Sequence, residues 1–376
     1  MNTPQLRDAC ATQLLASIDR ASLTTAFVGL DGFVDEILHV VDKRESAEKY
    51  TRLSTIQQFA ARLAAAAGRS TNVEFVSQLT KLGGNGPIMA NALASFGLKV
   101  TYLGILGYPN IHPVFADFSK RAQAYSIAEP GYTDAIEFDD GKIMLGKHQS
   151  LKQMNWQNIK GRFGLDKFAF QFASADLVGF VNWTMLTAMS DIWSAVLSEV
   201  CPGLNGQRRK LFVDLADPEK RTGEDILQAI RLIVSFEKYF DVILGLNEKE
   251  GYEIGHHLGL QGSNLAPEGL LKLCREIHQR VPVNTIVIHP TSYAVASGPD
   301  GTSVIEGAYT RKPKITTGAG DHFNSGFCLG KLMGLSTELC LLTGVTTSGW
   351  YVRSGHSPDI KDLGQMLRSW PTTEKN

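Results

Sequence analysis

Thr316-Thr317-Gly318-Ala319-Gly320-Asp321-His322-Phe323-Asn324-Ser325-Gly326-Phe327 sets three small residues directly ahead of an apolar pattern with helical spacing. The first N–H groups of a helix have no intrahelical partner, and the helix dipole adds positive charge there. The amides of Gly318, Ala319 and Gly320 therefore read as a phosphate site. Asp321 stands where that helix begins, a carboxylate beside a place built for anions. Their mutual repulsion points to proton transfer to or from an attacking group. The plainer role is a helix cap, and this segment alone leaves both open. Gly326, Gly330 and Gly334 recur every four residues along the same helix. Interior glycine costs a helix about 0.5–1 kcal/mol relative to alanine, so the stripe predicts close docking, with a sheet as the expected neighbour. His322, Asn324, Ser325 and Lys331 interrupt any membrane-spanning run.

Composition narrows the class. A chain of 376 residues, 43% hydrophobic and 20% charged, is expected to be globular with a large core. A net charge of −1 gives no electrostatic footprint for nucleic acid or an anionic membrane. The five cysteines (Cys10, Cys201, Cys274, Cys328 and Cys340) are odd in number and far apart, which argues against a disulfide framework or a zinc site. The start MNTPQLRDACATQLL lacks the basic-then-apolar plan of a signal peptide, and no apolar run reaches membrane-spanning length. Cytoplasm is the expected compartment.

Short β-branched runs alternate with helix-period segments, the pattern of an α/β fold with a doubly wound, mostly parallel sheet. Strands are expected at Thr25–Leu30, Val73–Ser77, Lys99–Leu103, Leu177–Val181, Lys210–Leu215, Asp241–Leu246 and Asn284–Ile288, with an edge hairpin at Tyr293–Ser297 and Thr302–Glu306. Phe33–Val41 and Tyr132–Lys147 break the alternation with strand-like patterns. They predict a small β-sheet lid, drawn from residues 33–45 and 131–150 of a single domain covering 1–376. Open parallel sheets bind ligands beyond the carboxyl ends of their strands. Asp31, Asn182, Asp214, Asn247 and His289 each follow an expected strand, and as a group they predict a polar cleft on one rim.

Two further motifs belong to that rim. Gly83-Gly84-Asn85-Gly86 ends an extended segment and opens a helix, so a ligand can approach its backbone closely. It lacks the third glycine and the later acidic residue of a dinucleotide fingerprint. Asn247-Glu248-Lys249-Glu250 follows an apolar strand, with Asn247 and Glu250 three apart on a first helical turn. Such a pair suits magnesium held through water; it equally suits a capping box, in which each side chain satisfies the other's backbone N–H.

In this order, these motifs resemble the ribokinase-like carbohydrate kinases, also called the phosphofructokinase-B family, over nearly the whole chain. The resemblance implies a doubly wound α/β domain with a β lid that transfers the γ-phosphate of ATP to a hydroxyl of a sugar, nucleoside or similar alcohol. It implies that Asp321 is the base, that Gly318, Ala319 and Gly320 form the anion hole, and that Asn247 and Glu250 organise magnesium and phosphate, with Thr317 beside the nucleotide. It assigns the acceptor to Asp31, Asp35, Gly84, Asn85 and Asn182. Phosphoryl transfer depends on positioning and charge neutralisation, so even an Asp of low pKa at a helix N-terminus could accept the proton late.

Departures fall on the acceptor side. Ile88 stands where relatives carry a sugar-contacting Asn, leaving Asn85 as the substitute. Asp31 and Asp35 straddle the spacing of the family's early Asp, and Asp31, nearer the strand end, is the first choice. Ile315 replaces an Asp that helps hold a monovalent cation, so the resemblance leaves potassium activation open. His322, directly after the base, is unusual for the pattern. The expected activity is that of an ATP- and magnesium-dependent kinase of a sugar or sugar-like polyol, the alternatives being a nucleoside kinase or a non-catalytic sugar- or nucleotide-binding regulator. Neither nucleic acid nor membrane is an expected partner, whereas exposed lid strands could pair across a homodimer.

Overall fold

The computed structural model describes residues 2–206, 208–260 and 266–371. Its strands are β1 Thr25–Gly29, β2 Phe33–Arg44, β3 Tyr50–Arg52, β4 Phe75–Gly83, β5 Lys99–Gly104, β6 Gln123–Ser126 and β7 Gly131–Phe138. They continue with β8 Gly141–Lys147, β9 Leu177–Phe180, β10 Arg209–Asp214, β11 Phe240–Asn247, β12 Thr285–His289, β13 Tyr293–Gly298 and β14 Gly301–Glu306. Nine of them form one sheet in the order β14-β13-β12-β11-β10-β9-β1-β5-β6. Pairing is parallel from β12 through β6, and β13 and β14 add an antiparallel edge. Successive side chains of a strand point to opposite faces, and both faces are buried here. Leu211 and Val213 of β10 join one core, while Phe212 between them joins the other with Ile243 and Val287. That double burial produces continuous apolar runs rather than alternation, and it is why the strands were legible in the sequence.

The small sheet is built around β2, with β4 antiparallel on one side, β7 parallel on the other, β8 antiparallel to β7, and β3 on the far end of β2. Segments 33–44, 131–138 and 141–147 pair in this sheet, and they are joined by a strand whose sequence pattern points to the main sheet. The segment placed at Val73–Ser77 is β4, which runs to Gly83 and belongs to the lid. Gln78, Thr80 and Lys81 make it too polar to be covered on both faces, and most of it is exposed. Other differences are local. Residues 123–126 form edge strand β6, and Leu165–Ser174 and Ile360–Arg368 are helices.

The glycine stripe has a different neighbour from the one expected. A Cβ on Gly326 would overlap Thr347 Oγ1 and lie 2.8 Å from Thr343 O, and one on Gly330 would lie 2.9 Å from Cys340 Cα. The glycine face of the helix Ala319–Leu332 therefore docks on the helix Thr337–Ser354, while Phe323 and Asn324 of the same helix reach β12 and β10. Gly334 lies beyond the helix end, at φ 77°. All five cysteines are buried and unpaired. Among the described residues no helix is long and apolar enough to cross a membrane.

Candidate active site

The carboxyl ends of β9, β10, β11 and β12 open into a cleft of about 980 Å³, which the lid strands β2, β7 and β8 border on one side. Four of the five expected rim residues line it: Asn182, Asp214, Asn247 and His289. Asp31 does not. It is fully buried, and its carboxylate accepts from the backbone N–H groups of Asn85 (3.0 Å) and Gly86 (2.9 Å) and from Asn182 Nδ2 (2.7 Å). Asp31 therefore anchors the start of the helix Asn85–Ser95 and orients Asn182; its acceptor capacity is spent inside the protein. Of the two carboxylates, Asp35 is the one that faces the cleft. That residue lies on β2, lines the cleft, and stands opposite Lys81 of β4 and Thr133 of β7. Burial raises the Asp35 carboxyl, and Lys81 and the Thr133 hydroxyl oppose the rise. Gly84 and Asn85 also line the cleft.

Asp321 is buried, lines the cleft, and accepts a hydrogen bond from Asn85 Nδ2 at 2.9 Å. Burial pushes its carboxyl up to about 7; the Asn85 bond opposes this, and the charges of Asp31 and Glu250 add to it. The expectation of a low-pKa Asp is thus reversed, because lost hydration and neighbouring carboxylates outweigh the helix N-terminus. A base with a pKa near neutrality is well matched to proton transfer at physiological pH. Gly318 caps the helix at φ 92°, in the left-handed region. The Ala319 amide, expected in the anion hole, donates to Thr316 O at 3.1 Å. The Gly318 and Gly320 amides have no hydrogen-bond partner among the described residues. Gly318, Ala319 and Gly320 all line the cleft. Thr316 does as well, in place of the expected Thr317, whose carbonyl accepts from the Tyr351 hydroxyl at 2.9 Å.

His322 steadies this turn from behind. Its Nδ1 lies 2.7 Å from Gly318 O and its Nε2 lies 2.9 Å from Ser357 Oγ, while its ring stacks on Tyr351 at 3.6 Å. A carbonyl can only accept, so Nδ1 carries the proton. Burial pushes the His322 pKa down to about 4, which keeps the ring neutral.

Asn247 and Glu250 form the complete capping box: Asn247 Oδ1 accepts from Glu250 N at 3.0 Å, and Glu250 Oε2 accepts from Asn247 N at 2.8 Å. Glu250 Oε1 also accepts from Asp217 N at 2.7 Å. Both box residues line the cleft, so a capping role and a ligand-facing position coexist. Asp214, noticed only as a rim residue in the sequence, is the group that motif reading missed. Its carboxylate accepts from Ala216 N and from Asn324 Nδ2, each at 2.8 Å. Burial, then the charges of Glu250 and Asp321, hold the Asp214 carboxyl far above the ordinary range. The signal for it was its place at the end of β10, which carries no motif.

Asp214, Glu250 and Asp321 repel one another across this wall, and a hard cation would relieve that repulsion. No three His, Cys, Asp or Glu residues among those described form a ready cage. Magnesium typically takes one or two carboxylates and completes its shell with waters and substrate phosphates, and this donor set fits it. The cleft wall also includes less polar residues, Ala308, Pro313, Val345, Gly349 and Val352.

Comparison with known proteins identifies the relatives of this chain. The family model described as prokaryotic ketohexokinase matches residues 1–370. A ketohexokinase from Haloferax volcanii is 27% identical over 363 residues, spanning 96% of this chain and 94% of that protein. Among solved structures, Arabidopsis thaliana ribokinase complexed with ribose and ATP superposes with a TM-score of 0.63 at 15% identity, over 92% of this chain and 98% of that one. The nucleoside kinase of Methanocaldococcus jannaschii superposes with a TM-score of 0.57 at 14% identity, over 92% and 98%. At such identities the superpositions establish a shared fold.

Proposed function

Since the chain belongs to the prokaryotic ketohexokinase family and is an ATP-dependent sugar kinase, we propose that its acceptor is a ketohexose and that Asp321 is the base. The observation that carries this reading is the cleft-facing Asp321 at the head of its helix, held by Asn85 and poised at about 7. The acceptor hydroxyl gives its proton to the Asp321 carboxylate as its oxygen bonds to the γ-phosphorus. The bond from that phosphorus to the bridging oxygen breaks, and ADP leaves. The Gly318 and Gly320 amides face the charge gathering on the transferred group. Asp35, Asn85 and Asn182 are the side chains disposed to orient the sugar, with Gly84 at close backbone approach.

Glu250, Asp214 and, through water, Asn247 would hold magnesium, which when bound neutralises phosphate charge. The less polar wall residues, Val345 and Pro313 among them, suit the nucleotide base. Closure of the lid over the acceptor would exclude water and limit wasteful hydrolysis of ATP. Phe75, Leu79, Met144 and Leu145 stand exposed on lid strands, and a second copy of the chain is the partner assigned to them; light scattering of a dimer in solution supports this, and a monomer at micromolar concentration removes it.

The test is ADP release with magnesium and ATP across ketohexoses, aldohexoses, pentoses, polyols and nucleosides. The expected outcome is a ketohexose kcat/KM at least tenfold above every other class. A nucleoside preference overturns the acceptor assignment.

A further inference from the structure

The cleft wall is short of positive charge. Asp35, Asp214, Asp217, Glu250 and Asp321 line it, and Lys220 is the one Lys or Arg among the described lining residues. The adjacent Arg221 is committed elsewhere, stacked over the Trp183 ring at 4.5 Å and 3.7 Å from Asp225 Oδ2. A nucleoside triphosphate entering this cleft meets five carboxylates and one ammonium.

The mount of that lysine is unusual. Ala216 and Asp217 are consecutive non-glycine residues in the left-handed region, at φ 57° and 63°. Such residues are strained and persist only where their surroundings enforce them. Here the enforcing groups are Asp214, which accepts from Ala216 N, and Glu250, which accepts from Asp217 N. The two carboxylates assigned to the metal therefore also shape the turn that carries Lys220 into the cleft. Its Nζ lies 2.8 Å from Asp217 Oδ2, and Lys249 Nζ approaches Asp217 Oδ1 at 3.4 Å. With Lys249 in place, Lys220 can leave Asp217 without stranding an unpaired carboxylate. Across the cleft Lys220 faces the lid, close enough for its charge to contribute to lowering the pKa of His148.

We propose that Lys220 exchanges its Asp217 partner for the γ-phosphate of ATP and holds that group during transfer, a role that rests on the kinase reading above. A lysine ammonium is a compact point charge on a flexible stem, suited to following a phosphoryl group as it moves.

Calorimetric titration of Lys220→Met with magnesium and either ADP or a non-hydrolysable ATP analogue tests it. The analogue should bind at least tenfold more weakly than to the wild type, ADP should stay within twofold, and kcat should fall roughly a hundredfold. Lys220→Arg should recover most of the analogue's affinity. Lys99→Met, at the exposed start of β5 and so at the other end of the sheet, controls for net charge and should leave both titrations unchanged. Equal weakening for both nucleotides, or none for the analogue, overturns the proposal. If the wild type binds both nucleotides yet phosphorylates no ketohexose, the acceptor assignment fails while the nucleotide comparison still judges Lys220.

Discussion

Replacing Asp321 by Asn should abolish phosphoryl transfer and, at the same time, stabilise the fold at alkaline pH. The wild-type carboxyl rises from an ordinary 3.8 to about 7 on folding. Between those values the folded protein holds a proton that the unfolded chain has lost, so stability declines as pH rises through this window. The full penalty is reached above about pH 7. A shift of roughly three units at 1.36 kcal/mol each gives about 4 kcal/mol. Asn pays none of it and keeps an acceptor for Asn85 Nδ2. With an unfolding entropy of about 2.1 cal/mol/K per residue, 4 kcal/mol corresponds to about 5 °C for a chain of 376 residues. The assay is thermal unfolding of both proteins without nucleotide or magnesium, at pH 4 and pH 8. The Asn variant should melt within about 1 °C of wild type at pH 4 and about 5 °C higher at pH 8. An unchanged gap between the two pH values would refute the claim that burial and neighbouring carboxylates raise this group, whatever the activity shows.

Three more outcomes follow from the same geometry. Asn85→Ala removes the hydrogen bond that favours ionised Asp321, so the acid limb of the kcat profile should move up by about one pH unit; an unmoved limb would mean Asn85 does not act on the base. Asp31→Ala strands the Asn85, Gly86 and Asn182 donors and should cost at least ~3 kcal/mol in chemical denaturation; a folded variant with wild-type stability and only a raised sugar KM would return Asp31 to the acceptor site. Gly326→Ala forces a methyl against Thr347 and Thr343 O, and should lower stability by about 1–3 kcal/mol; neutrality would mean the two helices are free to separate.

Two sources of information divide this protein between them. Strand after strand was legible because residues such as Leu211, Phe212 and Val213 are buried on both faces and write an apolar run into the chain. The Gly-Ala-Gly-Asp turn was legible because small residues before a helix expose amides wherever the chain goes. The capping box was legible as one of two readings, and the folded chain combines them, since Asn247 and Glu250 cap a helix that points into the cleft. Strand β4 was misplaced because its short apolar start resembles a buried strand, and only its partner β2 puts it in the lid.

The sequence by itself determined most of the main sheet, the helix that carries Asp321 and the family, since each depends on patterns a few residues long. Tertiary structure alone decided that Asp31 turns inward while Asp35 faces the cleft, and that Asp321 titrates near 7. It also decided that the glycine stripe meets a helix and that Lys220 is the one Lys or Arg among the described residues lining the cleft. Burial and electric field at a site are sums over neighbours distant along the chain, such as Asn85 and Asp321, 236 residues apart and 2.9 Å from donor to acceptor.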